Sequence, residues 1–207
     1  MIALTKGAEP SVLATNKVAW TAEFITGGPD RRRYGQSRIR DPLRSETHQK
    51  CAYCETRAET VTTLQVEHIL PKSTHPKLVC DWNNLTLACP ACNVQKGDYD
   101  DAVCPLVNPY VDNPADHLRW KGPLVTFVTP DRGRITMTRL KLNRAELLFR
   151  RGTEYLRIWD ILQRMKTCSP AVKSALEEDL RSGIQVEAEY SASIRALIEE
   201  ELGVAFK

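Results

Sequence analysis

The chain of 207 residues has no run of roughly 18 consecutive apolar residues, and its start lacks the apolar stretch of a secretory leader. No membrane span is therefore expected, and the sequence reads as a soluble, cytoplasmic protein. Internal repeats and low-complexity tracts are absent too, which sets aside solenoids and disordered linkers. The acidic cluster Asp98, Asp100 and Asp101 lacks the rest of an EF-hand loop and reads as a solvated turn. With 42% hydrophobic and 27% charged residues, global disorder is not expected. Histidine is scarce, at four residues. His48, His75 and His117 read as local structural residues.

Cysteine is the residue in surplus. Of seven, four form two Cys-x2-Cys pairs, Cys51 with Cys54 and Cys89 with Cys92, separated by 34 residues. In a reducing compartment such pairs bind metal rather than form disulfides, and four thiolates favour one tetrahedral zinc ion. Cys80, Cys104 and Cys168 have no evident activating partner and read as small buried side chains. Between the pairs lies QVEHILPKS at 65–73, and around the second pair runs NNLTLACPACNVQKGD at 83–98. The alternating run 64–70 reads as a strand, 71–81 as a loop and 85–88 as a second strand. Pro90 then suits the first turn of a helix capped by Cys89, which Gly97 ends.

Charge is uneven. Residues 1–50 carry a net +4, 51–130 a net −3, 131–166 a net +6 and 167–207 a net −4. A metal module flanked by basic segments fits a phosphodiester substrate. The N-terminal segment opens with an irregular arm over 1–12. A helix over 13–25 follows, with Leu13, Val18 and Phe24 on its apolar side, and Gly27, Gly28 and Pro29 end it. The stretch RRRYGQSRIR supplies Arg31, Arg32 and Arg33 as candidate phosphate contacts, with Tyr34 placed to stack or pack. Asp41-Pro42 reads as the start of a helix over 43–50. Beyond the cysteines, an irregular connection is expected over 105–123, with Trp120 and Phe127 as core candidates. A β-hairpin of 125–129 with 135–138 comes next. Asn143 reads as the cap of a helix, indicated by the pattern Leu147, Leu148, Arg151, Tyr155, Ile158, Trp159 and Leu162, with a broad apolar face and a basic opposite face. Two final helices have an acidic balance that suits protein association better than phosphate binding.

The stretch 51–98 resembles the HNH endonucleases, the group built on a zinc-stapled ββα-metal fold. Glu67-His68 matches the acidic residue and histidine that open the motif, Asn84 its middle asparagine, and Asn93 its final histidine-or-asparagine position. Cys51, Cys54, Cys89 and Cys92 match its structural zinc ligands. Glu67 stands where aspartate is commoner, one methylene longer with the carboxylate kept. Lys6-Gly7-Ala8-Glu9-Pro10 with Leu13, and Leu142-Asn143-Arg144-Ala145-Glu146-Leu147, extend the likeness over 1–165. They resemble the HNH proteins of Septu and retron-associated bacterial antiphage systems. In that group PLVNPY at 105–110 resembles a structured linker lying over the nuclease core.

The resemblance implies an α+β fold: an HNH ββα-metal core with one structural zinc, an added β-hairpin, and flanking N- and C-terminal helices. The expected organisation is 1–50 arm and basic helical segment, 51–98 nuclease core, 99–142 linker and hairpin, and 143–207 helical region. The implied activity is metal-dependent hydrolysis of nucleic acid, DNA in preference to RNA, as an effector in antiphage defence. An ABC- or SMC-like ATPase is the implied partner. His68 is expected as general base, with Asn84 bracing the loop and the histidine. Glu67 and Asn93 are expected to hold catalytic Mg²⁺, with Mn²⁺ as a substitute. Lys72 and Lys96 join the candidate phosphate contacts. The contrasting reading is a nonenzymatic, zinc-stabilised module that binds nucleic acid or an ATPase partner.

Overall fold

A computed structural model describes residues 1–28, 33–57, 63–203 and 205. The N-terminal arm is ordered because its backbone is tied into the rest of the fold. The Lys6 ammonium lies 4.0 Å from the Trp82 ring and 4.6 Å from the Tyr110 ring, and donates to the Leu85 carbonyl. Gly7 bonds through its amide to Glu46 and through its carbonyl to the Trp82 indole. Burial lowers the Lys6 pKa against the pull of Glu46.

Helix α1 is Ser11–Thr26. Leu13 is its buried anchor, and Val12, Trp20 and Phe24 pack on the core. Val18, expected on the apolar side, is 80% exposed. Helix α2, Ser37–Glu46, starts before the expected Asp41-Pro42 signal and carries Pro42 inside it. Ile39 and Leu43, four apart and fully buried, set that register. Tertiary burial outweighs the hydrogen bond that proline removes.

Strands β1, Gln65–His68, and β2, Leu85–Ala88, pair antiparallel with His68 opposite Leu85, and helix α3, Pro90–Lys96, follows directly. Cys89 caps α3 by accepting from the Cys92 amide, and Pro90 occupies the first turn. PLVNPY packs over this unit: Val107 is buried and the Tyr110 hydroxyl meets Thr86 of β2 and Glu46 of α2.

The added hairpin lies earlier than the sequence indicated. Strands β3, Leu118–Lys121, and β4, Leu124–Phe127, pair with Lys121 opposite Leu124. The two-residue loop has Gly122 at φ 58° and Pro123, whose ring locks φ negative. This is the order a type II′ turn requires. The segment expected as the second strand is helix α4, Arg132–Arg139. Gly133 and Thr136 of α4 and the following Leu140 are buried, a spacing of three and four that is helical, and it overrides the β-branched character of Ile135, Thr136 and Thr138. Gly133 is required there, since a Cβ would stand 2.2 Å from the His117 carbonyl oxygen.

Asn143 does not cap the next helix; its carboxamide brackets both backbone groups of Val125 on β4, at 2.8 and 2.7 Å. Helices α5, Ala145–Met165, α6, Pro170–Ile184, and α7, Ser191–Leu202, complete the fold. A second apolar cluster, including Ile158, Leu162, Leu180 and Ile194, joins these three. Trp159, Leu156 and Phe149 of α5 face outward. Buried Arg151 of α5 donates to the Pro123 and Leu142 carbonyls, which ties the hairpin to the helices. Glu55 is a second tie, holding the Met1 amine, Lys50 and Ser191 of α7 in one buried cluster.

Candidate metal and catalytic site

The four cysteines converge from two places: the turn at 51–54 and the N-terminus of α3. Their sulfurs all lie within 4.8 Å of one another, and every residue is buried. A regular tetrahedron of sulfurs at Zn–S of about 2.3 Å has edges of about 3.8 Å. Cys54 Sγ and Cys89 Sγ are 3.8 Å apart. Hydrogen bonds from its three sister cysteines hold the Cys54 thiol well below its ordinary pKa, while burial pushes Cys51 well above. Four thiolates this close cannot all ionise without a cation, so geometry and charge together fit zinc.

Arg144 is the site residue the motif reading left without a role. Its guanidinium lies 3.5 Å from Cys92 Sγ, 3.7 Å from Cys89 Sγ and 3.9 Å from Cys54 Sγ. Burial works against its charge, but the thiolates of Cys92 and Cys54 outweigh that and raise its pKa. A zinc ion with four thiolates carries two net negative charges, and Arg144 offsets one of them. Arg144→Gln is therefore expected to weaken zinc retention by about 10–100-fold. Competition with a chromogenic chelator measures this; unchanged affinity would remove Arg144 from the site.

The second cluster is built on β1. Gln65 and Glu67 share one face of the strand and meet α3. Asn93 Nδ2 donates to Gln65 Oε1 at 2.8 Å, and Lys96 Nζ lies 2.8 Å from Glu67 Oε1. Glu67 and Asn93 thus lie along one strand–helix seam. Lys96, expected as a phosphate contact, is instead buried between Glu67 and the His68 carbonyl, to which it donates at 2.7 Å. Burial raises the Glu67 pKa against the pull of Lys96.

His68 is only 3% exposed. Its Nε2 is 3.0 Å from the Val79 carbonyl oxygen. A carbonyl can only accept, so the proton sits on Nε2 and Nδ1 carries the lone pair. Asn84 holds the intervening loop: it accepts from the Leu70 amide at 2.7 Å and donates to the Leu70 and Leu78 carbonyls. Tyr34 meets the imidazole edge-on, with ring centroids 4.6 Å apart.

Burial drives the His68 pKa down to about 4, with Val79 opposing and Lys72 and Lys96 assisting. The imidazole is therefore neutral at physiological pH. Between pH 6.5 and about 4 the unfolded chain binds this proton and the folded chain does not, so stability falls as pH falls through that window. The full difference corresponds to about 3 kcal/mol. Urea midpoints at pH 7 and 4.5 should show a smaller acid loss in His68→Gln than in the parent; equal losses would contradict a buried neutral imidazole.

Among the remaining candidates, Arg33 pairs with Glu23 at 2.9 Å. Arg31 and Arg32 lie outside the described residues. Lys72 lines a groove with Tyr34, Gln65 and Asn93. His75 bonds Asp100 at 2.9 Å, and His117 bonds Thr129 at 3.1 Å.

Comparison with known proteins agrees with this geometry. Residues 51–99 match the family described as HNH endonuclease. Septu protein PtuB of Bacillus thuringiensis is 38% identical over 120 residues, covering 58% of this chain and 46% of that protein. Septu protein PtuB of Bacillus mycoides (strain KBAB4) is 28% identical over 118 residues, 42% of this chain and 40% of that protein. The matched part is thus less than half the length of either relative. The chain carries an HNH domain and is similar to the Septu PtuB proteins.

Proposed function

We propose that this chain is a metal-dependent endonuclease that hydrolyses nucleic-acid phosphodiester bonds, DNA in preference to RNA, in antiphage defence. The observation that carries the reading is His68: a neutral imidazole with Nε2 engaged by Val79 and its lone pair on Nδ1, inside an HNH domain. Substrate entering the adjoining groove displaces Tyr34 from the ring. Nδ1 then takes the proton of the attacking water, while Asn84 keeps the loop and the Val79 carbonyl in place. Glu67 and Asn93 would hold Mg²⁺ or Mn²⁺; both offer carboxylate or amide oxygen, the donors these ions prefer. The bound ion would stabilise charge developing on the phosphate and leaving oxygen. Lys96 favours the ionised form of Glu67, against the effect of burial. The four cysteines hold zinc as scaffold.

The test compares cleavage of single-stranded DNA, duplex DNA and structured RNA with Mg²⁺, Mn²⁺ or chelator. Cleavage of DNA that requires added divalent ion supports the reading; phosphate affinity without turnover under every condition would favour a binding module.

Among the described residues no helix is long and apolar enough to cross a membrane. A cytoplasmic site of action, and an ABC- or SMC-like ATPase as partner, belong to the same proposal. They rest on the likeness to Septu PtuB proteins. The expected outcome is copurification with the ATPase and cleavage that depends on it. Unrestricted cleavage by the isolated chain would count against that partnership.

A further inference from the structure

We propose that Arg40, together with Lys72, seats a backbone phosphate of the substrate in the groove beside His68. The inference rests on the nuclease reading and adds to it a binding residue outside the HNH motif. The groove has a volume of about 730 Å³, and Arg40, Lys72, Tyr34, Gln65 and Asn93 line it. No carboxylate lines it among the described residues. Tyr34 belongs both to the groove wall and to the contact with His68, so the groove adjoins the catalytic strand.

Arg40 differs from Arg33, Arg44, Lys96 and Arg144. Arg33 is paired with Glu23, Arg44 with Asp41, Lys96 with Glu67, and Arg144 with the cysteine sulfurs. The Arg40 side chain has no ion-pair or hydrogen-bond partner among the described residues, and its Nε is buried without one. Its position is nevertheless well defined, because its neighbour Ile39 and the next turn's Leu43 are fully buried and α2 packs on β2. A fixed, unpaired guanidinium in a groove free of acids is complementary to an anion. Its planar fork matches two oxygens of a phosphate. Lys72 adds a second positive charge without competing for those oxygens' geometry. Such contacts carry no sequence information, so the seat fixes where the backbone lies rather than which bases are cut.

The test uses the catalytically silent His68→Ala protein and a fluorescein-labelled DNA duplex, with anisotropy read at several salt concentrations. Arg40→Gln is expected to weaken binding several-fold, alike on two unrelated sequences. It should also lower the slope of log affinity against log salt by about 0.9, the value for one lost phosphate contact. Arg40→Lys should keep most of the slope. Lys72→Gln should reproduce the loss, and Lys173→Gln on the exposed face of α6 should leave it unchanged. Retained zinc in each variant confirms folding. An unaltered slope in folded Arg40→Gln, alongside His68-dependent cleavage by the otherwise intact protein, overturns the phosphate seat alone. Absence of both oligonucleotide binding and His68-dependent cleavage overturns the nuclease reading along with it.

Discussion

His68→Ala is expected to lower the cleavage rate by about 10²–10⁴-fold, the range contributed by a positioned general base. Zinc content should be unchanged. The size follows from how the ring is held. Val79 takes one nitrogen, burial keeps the imidazole neutral, and the other nitrogen carries the lone pair, on a ring in contact with Tyr34 of the groove wall. The other three histidines are engaged elsewhere: His48 lies 3.7 Å from Glu187, His75 bonds Asp100, and His117 lies by the hairpin with Thr129. Rates on duplex DNA, measured with Mg²⁺ and with Mn²⁺, provide the check. A variant that stays folded and cuts at the parent rate with both ions would end the proposed mechanism.

Glu67 needs a more careful experiment. Its carboxylate is buried against Lys96, so Glu67→Ala leaves an ammonium without its partner. Removing one member of a buried pair costs about 3–5 kcal/mol. Loss of activity in that variant therefore has to be read beside its stability. The Glu67→Gln substitution together with Lys96→Met removes both charges and isolates the carboxylate's contribution to catalysis.

The second large effect is on the scaffold. Cys54→Ser or Cys92→Ser is expected to abolish zinc retention and cooperative folding. Structural zinc is worth roughly 10–16 kcal/mol in zinc-finger peptides, as much as or more than the whole stability of a typical domain. Here the ion would join the 51–54 turn to the start of α3, and Arg144 extends that junction towards α5. Loss of one thiolate also leaves the Arg144 charge facing fewer anions. Cys80→Ser is the control, since Cys80 is buried but is not one of the four clustered cysteines. Metal analysis and thermal unfolding read the outcome. A Cys54→Ser protein that melts cooperatively at the parent temperature would contradict a scaffolding ion.

Several features visible in the sequence have a local cause and reappear in the structure. Cys89-Pro90 makes a capped helix start, so two cysteines three apart arrive on one turn. Alternation over 65–68 makes a strand, which puts Glu67 and His68 on opposite faces. Lys6-Gly7 and Asn143-Arg144 were visible as motif marks without a mechanism. The fold supplies one: Lys6 lies against Trp82 and Tyr110, Asn143 brackets Val125, and Arg144 faces three cysteine sulfurs.

Other features are decided by partners far away in the chain. The hairpin was misplaced because 135–138 looks like a strand, whereas Gly133 and Thr136 find their contacts at His117 and Val107 only in a helix. The available hairpin signal was Gly122-Pro123 between two short alternating runs. Lys96 reads in the sequence as a candidate phosphate contact. Only the packing of α3 on β1 shows that its charge is buried on Glu67.

The order Cys-x2-Cys, Glu-His, Asn, Cys-x2-Cys-Asn determined by itself that this chain has a ββα unit, a cysteine cluster and His68 at its edge. Those properties depend on spacing within a turn or a strand. Tertiary structure alone decided which charges are spent and which remain. Lys96, Arg33 and Arg144 have found partners and Arg40 has not, because pairing depends on distances between segments that the linear order does not contain.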